Sequence, residues 1–341
     1  MFNQLTESAA ATKTLSEIIT NEIQINNLIV EKQGVAACNY RDILRKIVNY
    51  CKVFLKEHQP NNKQWLIEIP ENYTKEFGFF KKLDITVKIF DVNGLADKYS
   101  GGGATYMRPF EETPIENGMF LEPQKIEIEG YSNRDELYES SLYNSLYHEL
   151  NHKMEELRWN RTKDANSTKY IFNQVKDLEK LRSEPIFQDE EIDKLFQTII
   201  YRLFSTTEVN ALAAGVFGDL EGMHSEREHF KTDIQKTQAW YLYSWIKGTI
   251  PALEYMPLKG YEVIKSKLEN TTMSFGKPNI PIENYKRRFI TIVKERLKDL
   301  YQRIGKVASY YYDVHEDEML TEFKINFRRF AETDKGDFYF I

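Results

Sequence analysis

The spacing of hydrophobic residues changes twice along the chain. Up to residue 55, apolar side chains recur every three to four positions, which predicts two helices separated near Gly34. Apolar and polar residues then alternate over 65–69, 85–89 and 126–130, which predicts strands. From Asn133 onward the helical spacing returns, interrupted only by Pro and Gly. Because helices and strands are segregated rather than interleaved, the pattern predicts an α+β fold.

The helical part of the chain continues far beyond the last candidate strand. We therefore predict a domain over residues 1–221 and a helical C-terminal region over residues 222–341, with the boundary in the polar stretch from Gly222 to Lys231. A helix predicted from Glu283 to Val307 is amphipathic and carries eight Lys and Arg against three acidic residues. Such a face is usually solvated, and the alternative is a surface for an acidic protein partner or nucleic acid.

Composition narrows the class of protein. The 341 residues carry 46 Lys and Arg against 52 Asp and Glu, a net charge of −6, so nucleic-acid binding is not favoured overall. The longest apolar run, Ala211–Phe217, is far shorter than the roughly 18 residues of a membrane helix. The first residues do not resemble a secretory signal. Two cysteines, Cys38 and Cys51, cannot build a disulfide framework. We therefore expect a cytoplasmic globular protein without a membrane partner.

Residues 148–152 read His-Glu-Leu-Asn-His, the H-E-x-x-H pattern. Two imidazoles four residues apart on a helix project from the same face and can share one tetrahedral metal ion. Glu149 flanks that face, where it can take a proton from a water molecule held by the metal. The pattern thus predicts His148 and His152 as metal ligands and Glu149 as a catalytic base.

The segment around this motif is predicted to be helical. Leu137 to Arg158 contains neither Gly nor Pro, and its leucines fall on the side of the helix opposite the two histidines. We therefore predict that the helix packs by its leucine side and presents His148 and His152 on a cleft side. The alternative is a surface helix with two solvated histidines.

A third ligand is needed for a zinc site of this kind. Metzincins are excluded, because Glu155 and Arg158 stand where that class has Gly and a final His. Gluzincins take a Glu from a later helix. The predicted helix over 195–220 is apolar on nearly every side, and Glu208 is the only acid between Phe196 and Gly218. A carboxylate in such a helix is costly unless it is paired or bound to metal. Glu208 is the predicted third ligand, and the alternative is a salt bridge to Arg202 or a distant Lys.

The segment Glu208-Val-Asn-Ala-Leu-Ala-Ala214 resembles the E-x-N-x-F-A-A helix of ImmA/IrrE-type metallopeptidases, with Leu212 in place of the Phe. In that family a short set of strands precedes H-E-x-x-H, and this Glu is the third zinc ligand. The resemblance implies that residues 1–221 form a zincin-like metallopeptidase domain, with a small mixed sheet, an H-E-x-x-H helix and a Glu-bearing helix. It implies zinc held by His148, His152 and Glu208, with Glu149 as the base.

These observations together predict a zinc-dependent peptidase of the gluzincin type that acts on peptides or proteins. Two alternatives stay open. One is a catalytically silent zincin fold that serves as a structural or binding module, for example in a phage particle. The other is a helical scaffold or nucleic-acid-associated protein in which the motif is accidental.

For two further features of such a peptidase, the sequence offers only candidate residues. The substrate would pair with an edge strand, for which Ala104–Met107 and Lys125–Tyr131 are the last strands predicted before the motif. An oxyanion-stabilising donor is also required, and chain position alone suggests His224, His229 or Tyr241.

Overall fold

The computed structural model describes residues 40–92, 104–105, 115–117, 119–133, 135–162, 176–177, 180–181, 185–271 and 279–313. The chain divides into two compact units, Met1–Asp42 and Ile43–Ile341, and apart from residues 40–42 all that follows concerns the second. The first predicted helix and Cys38 lie outside the described residues. The second predicted helix is confirmed as α1, over residues 40–57, and its apolar side, including Leu44, Ile47 and Cys51, is fully buried.

A four-stranded sheet follows α1. Its strands are β1 (Gln64–Glu68), β2 (Leu83–Asp91), β6 (Gln124–Ser132) and the two-residue β3 (Ala104–Thr105), in the order β1-β2-β6-β3. The β1–β2 and β3–β6 pairs are antiparallel and the β2–β6 pair is parallel, so the sheet is mixed. The short helix α2 (Glu71–Thr74) lies between β1 and β2. The three predicted strands are therefore confirmed as β1, β2 and β6.

A smaller hairpin lies in the connection from β3 to β6. It consists of β4 (Ile115–Glu116) and β5 (Met119–Phe120), which pair antiparallel. Phe120 is buried and stacks on Phe80 with ring centroids 5.3 Å apart, so the hairpin is anchored next to the segment that enters β2.

The rest of the described chain is helical. It comprises α3 (Glu139–Thr162), α4 (Glu190–Thr198), α5 (Thr206–Gly222), α6 (Phe230–Gln235), α7 (Gln238–Tyr255), α8 (Leu258–Leu268) and α9 (Ile282–Tyr311). A π-helical turn, Ile199–Leu203, joins α4 to the start of α5, and a 3-10 turn, Arg227–His229, precedes α6. The chain is thus mixed helix and sheet with helices predominating, as predicted. The boundary predicted after residue 221 stays a prediction.

The helix predicted over 195–220 is in fact interrupted. Ser205 is extended, with φ −82° and ψ 115°, and its hydroxyl accepts the backbone N–H of Glu208, which caps a new helix. The sequence Ser205-Thr-Thr-Glu208 carries the Ser-x-x-Glu signature of a helix start, which the apolar pattern around it concealed. The interruption places Glu208 in the first turn of α5 rather than in the middle of a long helix.

Two cores position the helices. The leucine side of α3 packs on β6, where Leu142 lies against Gly130. The second core is formed by apolar residues of α4, α5, α7, α8 and α9. Helix α5 takes part in both layers, because it packs against α3 on one side and against α9 on the other. No helix in the described ranges is long and apolar enough to cross a membrane.

Candidate metal centre

His148 and His152 lie on the same side of α3, one turn apart, as predicted. Their Nε2 atoms are 3.2 Å apart and their rings are nearly perpendicular, at 79°. The side chains are buried, with residue exposures of 8 % and 4 %. The alternative of a surface helix with solvated histidines is therefore wrong. The predicted exposure of this side to a cleft is wrong too, because it packs against α5 instead.

Glu208 joins the two histidines from the first turn of α5. Its Oε1 lies 3.3 Å from His152 Nε2, and its Oε2 lies 3.7 Å from His148 Nε2. Ligand atoms of a tetrahedral metal ion, each about 2.1 Å from the metal, are about 3.4 Å apart. One oxygen of Glu208 lies near each imidazole, and one ligand atom from each of the three residues lies within 4.8 Å of the others, so the buried group of His148, His152 and Glu208 could hold a metal ion.

Three glycines of α5 allow this helix to lie directly against α3. A Cβ added to Gly218 or Gly222 would be closer than 3.0 Å to backbone atoms of Tyr143 or Ser140. One added to Gly215 would lie 2.7 Å from Asn144 Nδ2. Real Cβ atoms essentially never make such contacts, and the backbone atoms at Gly218 and Gly222 leave only glycine at those two positions.

A buried hydrogen bond sets the register of the same pair of helices. Asn144, one turn before His148, donates its Nδ2 to Asp219 Oδ2 at 2.8 Å. The same oxygen accepts the backbone N–H of Gln238 at 2.9 Å. Burial raises the pKa of Asp219 to about 7, against the effect of these two donors. Neither Asn144 nor Asp219 stood out in the sequence, where each is an isolated polar residue in a helical pattern.

The Glu208 carboxylate also has a cationic partner. Arg202, in the π-helical turn, donates Nη1 to Glu208 Oε2 at 2.8 Å. Burial by itself would raise the pKa of Glu208, but the ring of His152 and the Arg202 guanidinium outweigh it and hold that pKa well below its usual range. The carboxylate is therefore an anion, the form that binds a metal ion. The two roles considered for Glu208, metal ligand and partner of Arg202, are compatible in this geometry.

Glu149 follows His148 on α3 and is buried, at 3 % exposure. Its role as a base stays a prediction. Two other acids of α3, Glu155 and Glu156, are also buried and lie one turn beyond His152. The group whose ligand atoms converge contains Glu208 rather than either of them.

The candidate substrate strands differ in position. Ala104 and Thr105 form β3 at one edge of the sheet, and residues 106–107 lie outside the described residues. The segment Lys125–Tyr131 lies within β6, between β2 and β3, so it is an interior strand. Of the two candidates, β3 is therefore the one at a sheet edge.

The three candidate oxyanion donors lie in the C-terminal half of the chain. His224 follows α5 and lines a cavity with Ser140 and Gly222, at the first turn of α3. His229 ends the 3-10 turn, and Tyr241 is 70 % exposed on α7. Their role in stabilising an oxyanion stays a prediction.

Comparison of the chain with protein-family models, with curated proteins and with solved structures found no match in any of the three. The resemblance to ImmA/IrrE-type metallopeptidases therefore depends on the motif residues alone.

Proposed function

We propose that this protein is a zinc-dependent peptidase of the gluzincin type, with a zincin-like core made of the mixed sheet, α3 and α5. The observation that carries the proposal is the convergence of His148, His152 and Glu208 from two helices, with one ligand atom of each residue within 4.8 Å of the others. Two imidazoles and one carboxylate form a donor set that zinc accepts well, and three protein ligands are typical of catalytic zinc sites.

Bound at these three residues, zinc would supply a Lewis acid that activates water and polarises the scissile carbonyl. The protein's own residues would do the rest. Glu149 accepts the proton of the attacking water on its carboxylate and passes it to the amine nitrogen of the leaving group. Arg202 holds Glu208 as an anion through the 2.8 Å contact. A substrate peptide would add to the sheet at β3.

One observation favours a second function, a zincin fold whose metal site is structural or serves binding. His148, Glu149, His152 and Glu208 are each at least nine-tenths buried. A catalytic site must admit a peptide, whereas a structural metal site is closed. This candidate shares the three ligands with the first and differs only in the role of Glu149.

Metal analysis and peptide hydrolysis together separate the two functions. The parent protein should bind about one zinc ion per chain, because three protein ligands form a single site. His148→Ala and Glu208→Ala should each lose it. Glu149→Gln should keep zinc and lose most hydrolysis of a peptide library, since it removes the base and no ligand.

Glu156→Gln is the matched control for the Glu149→Gln variant. Glu156 is another buried acid of α3, and burial raises its pKa to about 8, so an amide resembles its neutral form at pH 7. This variant should keep both zinc and hydrolysis. Equal hydrolysis by Glu149→Gln and the parent contradicts the peptidase. Bound zinc without hydrolysis by the parent supports the structural candidate, and failure to take up zinc contradicts both.

A further inference from the structure

A chain of hydrogen bonds joins three helices beside the candidate metal centre. Glu155 of α3 accepts, on Oε1, the side-chain Nδ2 of Asn210 on α5. Asn210 Oδ1 in turn accepts Nη1 of Arg303 on α9. Arg303 also donates Nε to Asp299 Oδ1 at 3.0 Å, one turn earlier on α9. A residue of the C-terminal helical region is thus connected to the two helices that carry the candidate ligands.

These hydrogen bonds involve residues that lie close to the candidate ligands in the sequence. Glu155 lies three residues after His152, and Asn210 lies two residues after Glu208. Asn210 therefore lies in the same helical turn as Glu208, and Glu155 lies about one turn beyond His152, so their contact joins α5 to α3 close to the place where Glu208 meets His152. Any sliding or rotation of α5 on α3 must break this contact as well as move Glu208.

Chemistry gives Asn210 a single orientation. A guanidinium has only donors, and a carboxylate has only acceptors. Asn210 satisfies both neighbours only with its oxygen toward Arg303 and its NH₂ group toward Glu155. Arg303 is thus the cation at the end of a line of hydrogen bonds that begins at Glu155, which is almost fully buried.

We propose that Arg303 is a positioning residue of the metal centre: through Asn210 and Glu155 it holds Glu208 against the His148–His152 pair. Helix α9 is then part of the site although it contributes no ligand. The inference depends on the proposed function, because it takes these three residues to bind zinc. Hydrogen-bonded partners that orient metal ligands typically change metal affinity by about 10–100-fold when removed.

The test is the zinc affinity of the full-length Arg303→Met variant, measured by competition with a chromophoric chelator at fixed pH. Met keeps an unbranched side chain but donates no hydrogen bond, and we expect zinc to bind about 10–100-fold more weakly. Arg296→Met is the matched control. Arg296 lies two turns earlier on α9 and also pairs with Asp299, at 3.8 Å, so the variant loses the same charge from the same helix. Its zinc affinity should stay within about twofold of the parent, a small change by comparison.

Two more variants keep the inference testable if Arg303→Met does not fold. Arg303→Lys retains a donor for Asn210 and should recover part of the affinity. Asn210→Ala removes the residue that hydrogen-bonds both Glu155 and Arg303, and it should weaken zinc binding to a similar extent as Arg303→Met. Combining Asn210→Ala with Arg303→Met should add little to either alone, because both remove the same coupling.

The outcomes separate this inference from the function on which it depends. If the parent binds zinc and Arg303→Met or Asn210→Ala binds it equally tightly, the inference is wrong and the proposed function stands. Equal weakening by Arg296→Met and Arg303→Met also overturns it, because net charge alone then explains the effect. Failure of the parent to bind zinc overturns the proposed function, and this inference with it.

Discussion

The two sides of helix α5 are built in opposite ways. The side toward α3 has glycines against backbone and buried polar contacts, those of Asp219, Asn210 and Glu208. The opposite side contributes apolar residues to the core shared with α7 and α9. Its buried members are Val209, Leu212, Val216 and Leu220.

The difference shows that one side of the helix contributes most to stability, whereas the other side determines the exact position of its residues. Apolar contact stabilises in proportion to buried area and tolerates small shifts. Hydrogen bonds and backbone contacts are directional and short, so they tolerate neither rotation nor separation. The apolar side of α5 therefore holds the helix in the fold, and the polar side determines where Glu208 lies.

The largest loss of stability is expected in the apolar core to which that side of α5 contributes. Phe289 of α9 is fully buried, and its ring lies 5.4–5.8 Å from the rings of Phe204, Phe196 and Tyr261. Phe289→Ala should lower the free energy of unfolding by about 4 kcal/mol, measured by urea denaturation. The folded fraction should bind zinc as the parent does. Phe289→Leu, which refills much of the volume, should recover most of the stability, and a change in zinc affinity would contradict the division between the two sides.

A smaller loss of stability, now coupled to the metal site, is expected on the polar side. Gly218→Ala places a Cβ against the backbone of Tyr143, so α5 must move away from α3. We expect a loss of about 3 kcal/mol in the free energy of unfolding, together with weaker zinc binding.

Gly248→Ala is the matched control for that variant. Gly248 lies within α7, and nothing is within 4 Å of an added Cβ there. The variant should gain about 0.5–1 kcal/mol from the better helix former and leave zinc binding unchanged. Similar stabilities for the two variants would mean that α3 and α5 are not in contact as described.

Asp219 makes the polar side sensitive to pH. Burial raises its pKa to about 7, so the folded protein keeps this proton to about pH 7, whereas the unfolded chain releases it near pH 4. The unfolded state therefore loses its proton first, and stability should fall as pH rises from about 4 to 7 and then level off. The fall from pH 5 to 7 should be about 2 kcal/mol.

Asp219→Asn should remove this part of the pH dependence. The amide oxygen can still accept the bonds from Asn144 and Gln238, so the fold should be retained. Asp84→Asn, at a half-exposed site on β2, should keep the parent profile, since its side chain is solvated. Superimposable profiles for Asp219→Asn and the parent would show that Asp219 does not retain its proton in the fold.

The smallest expected effect concerns the carboxylate of Glu208 itself. Arg202→Met removes the guanidinium that holds Glu208 Oε2 and should weaken zinc binding about tenfold, or about 1.4 kcal/mol. Arg45→Met is the control, because Arg45 pairs with Glu221 at the other end of α5. It should leave zinc affinity unchanged. A larger loss for Arg45→Met than for Arg202→Met would refute a local role for Arg202.

The spacing of residues in the sequence was sufficient to predict those features that depend only on residues close together in the chain. Alternation predicted β1, β2 and β6, and the four-residue interval placed His148 and His152 on one side of α3. These features follow from the repeat of a strand or a helix, which is the same in every environment. The sequence also contained the Ser205 cap, but the apolar residues around it favoured one continuous helix.

The sequence by itself determined which residues could bind a metal, and only the tertiary structure decided that three of them meet. The sequence marks Glu208 as a lone acid, yet its approach to the histidines depends on Gly218 and Gly222 fitting the backbone of α3. Arg303 carried no local signal at all, since it is one of many basic residues on α9. Contacts between segments distant in the chain are set by packing and by paired donors and acceptors, and no periodicity encodes them.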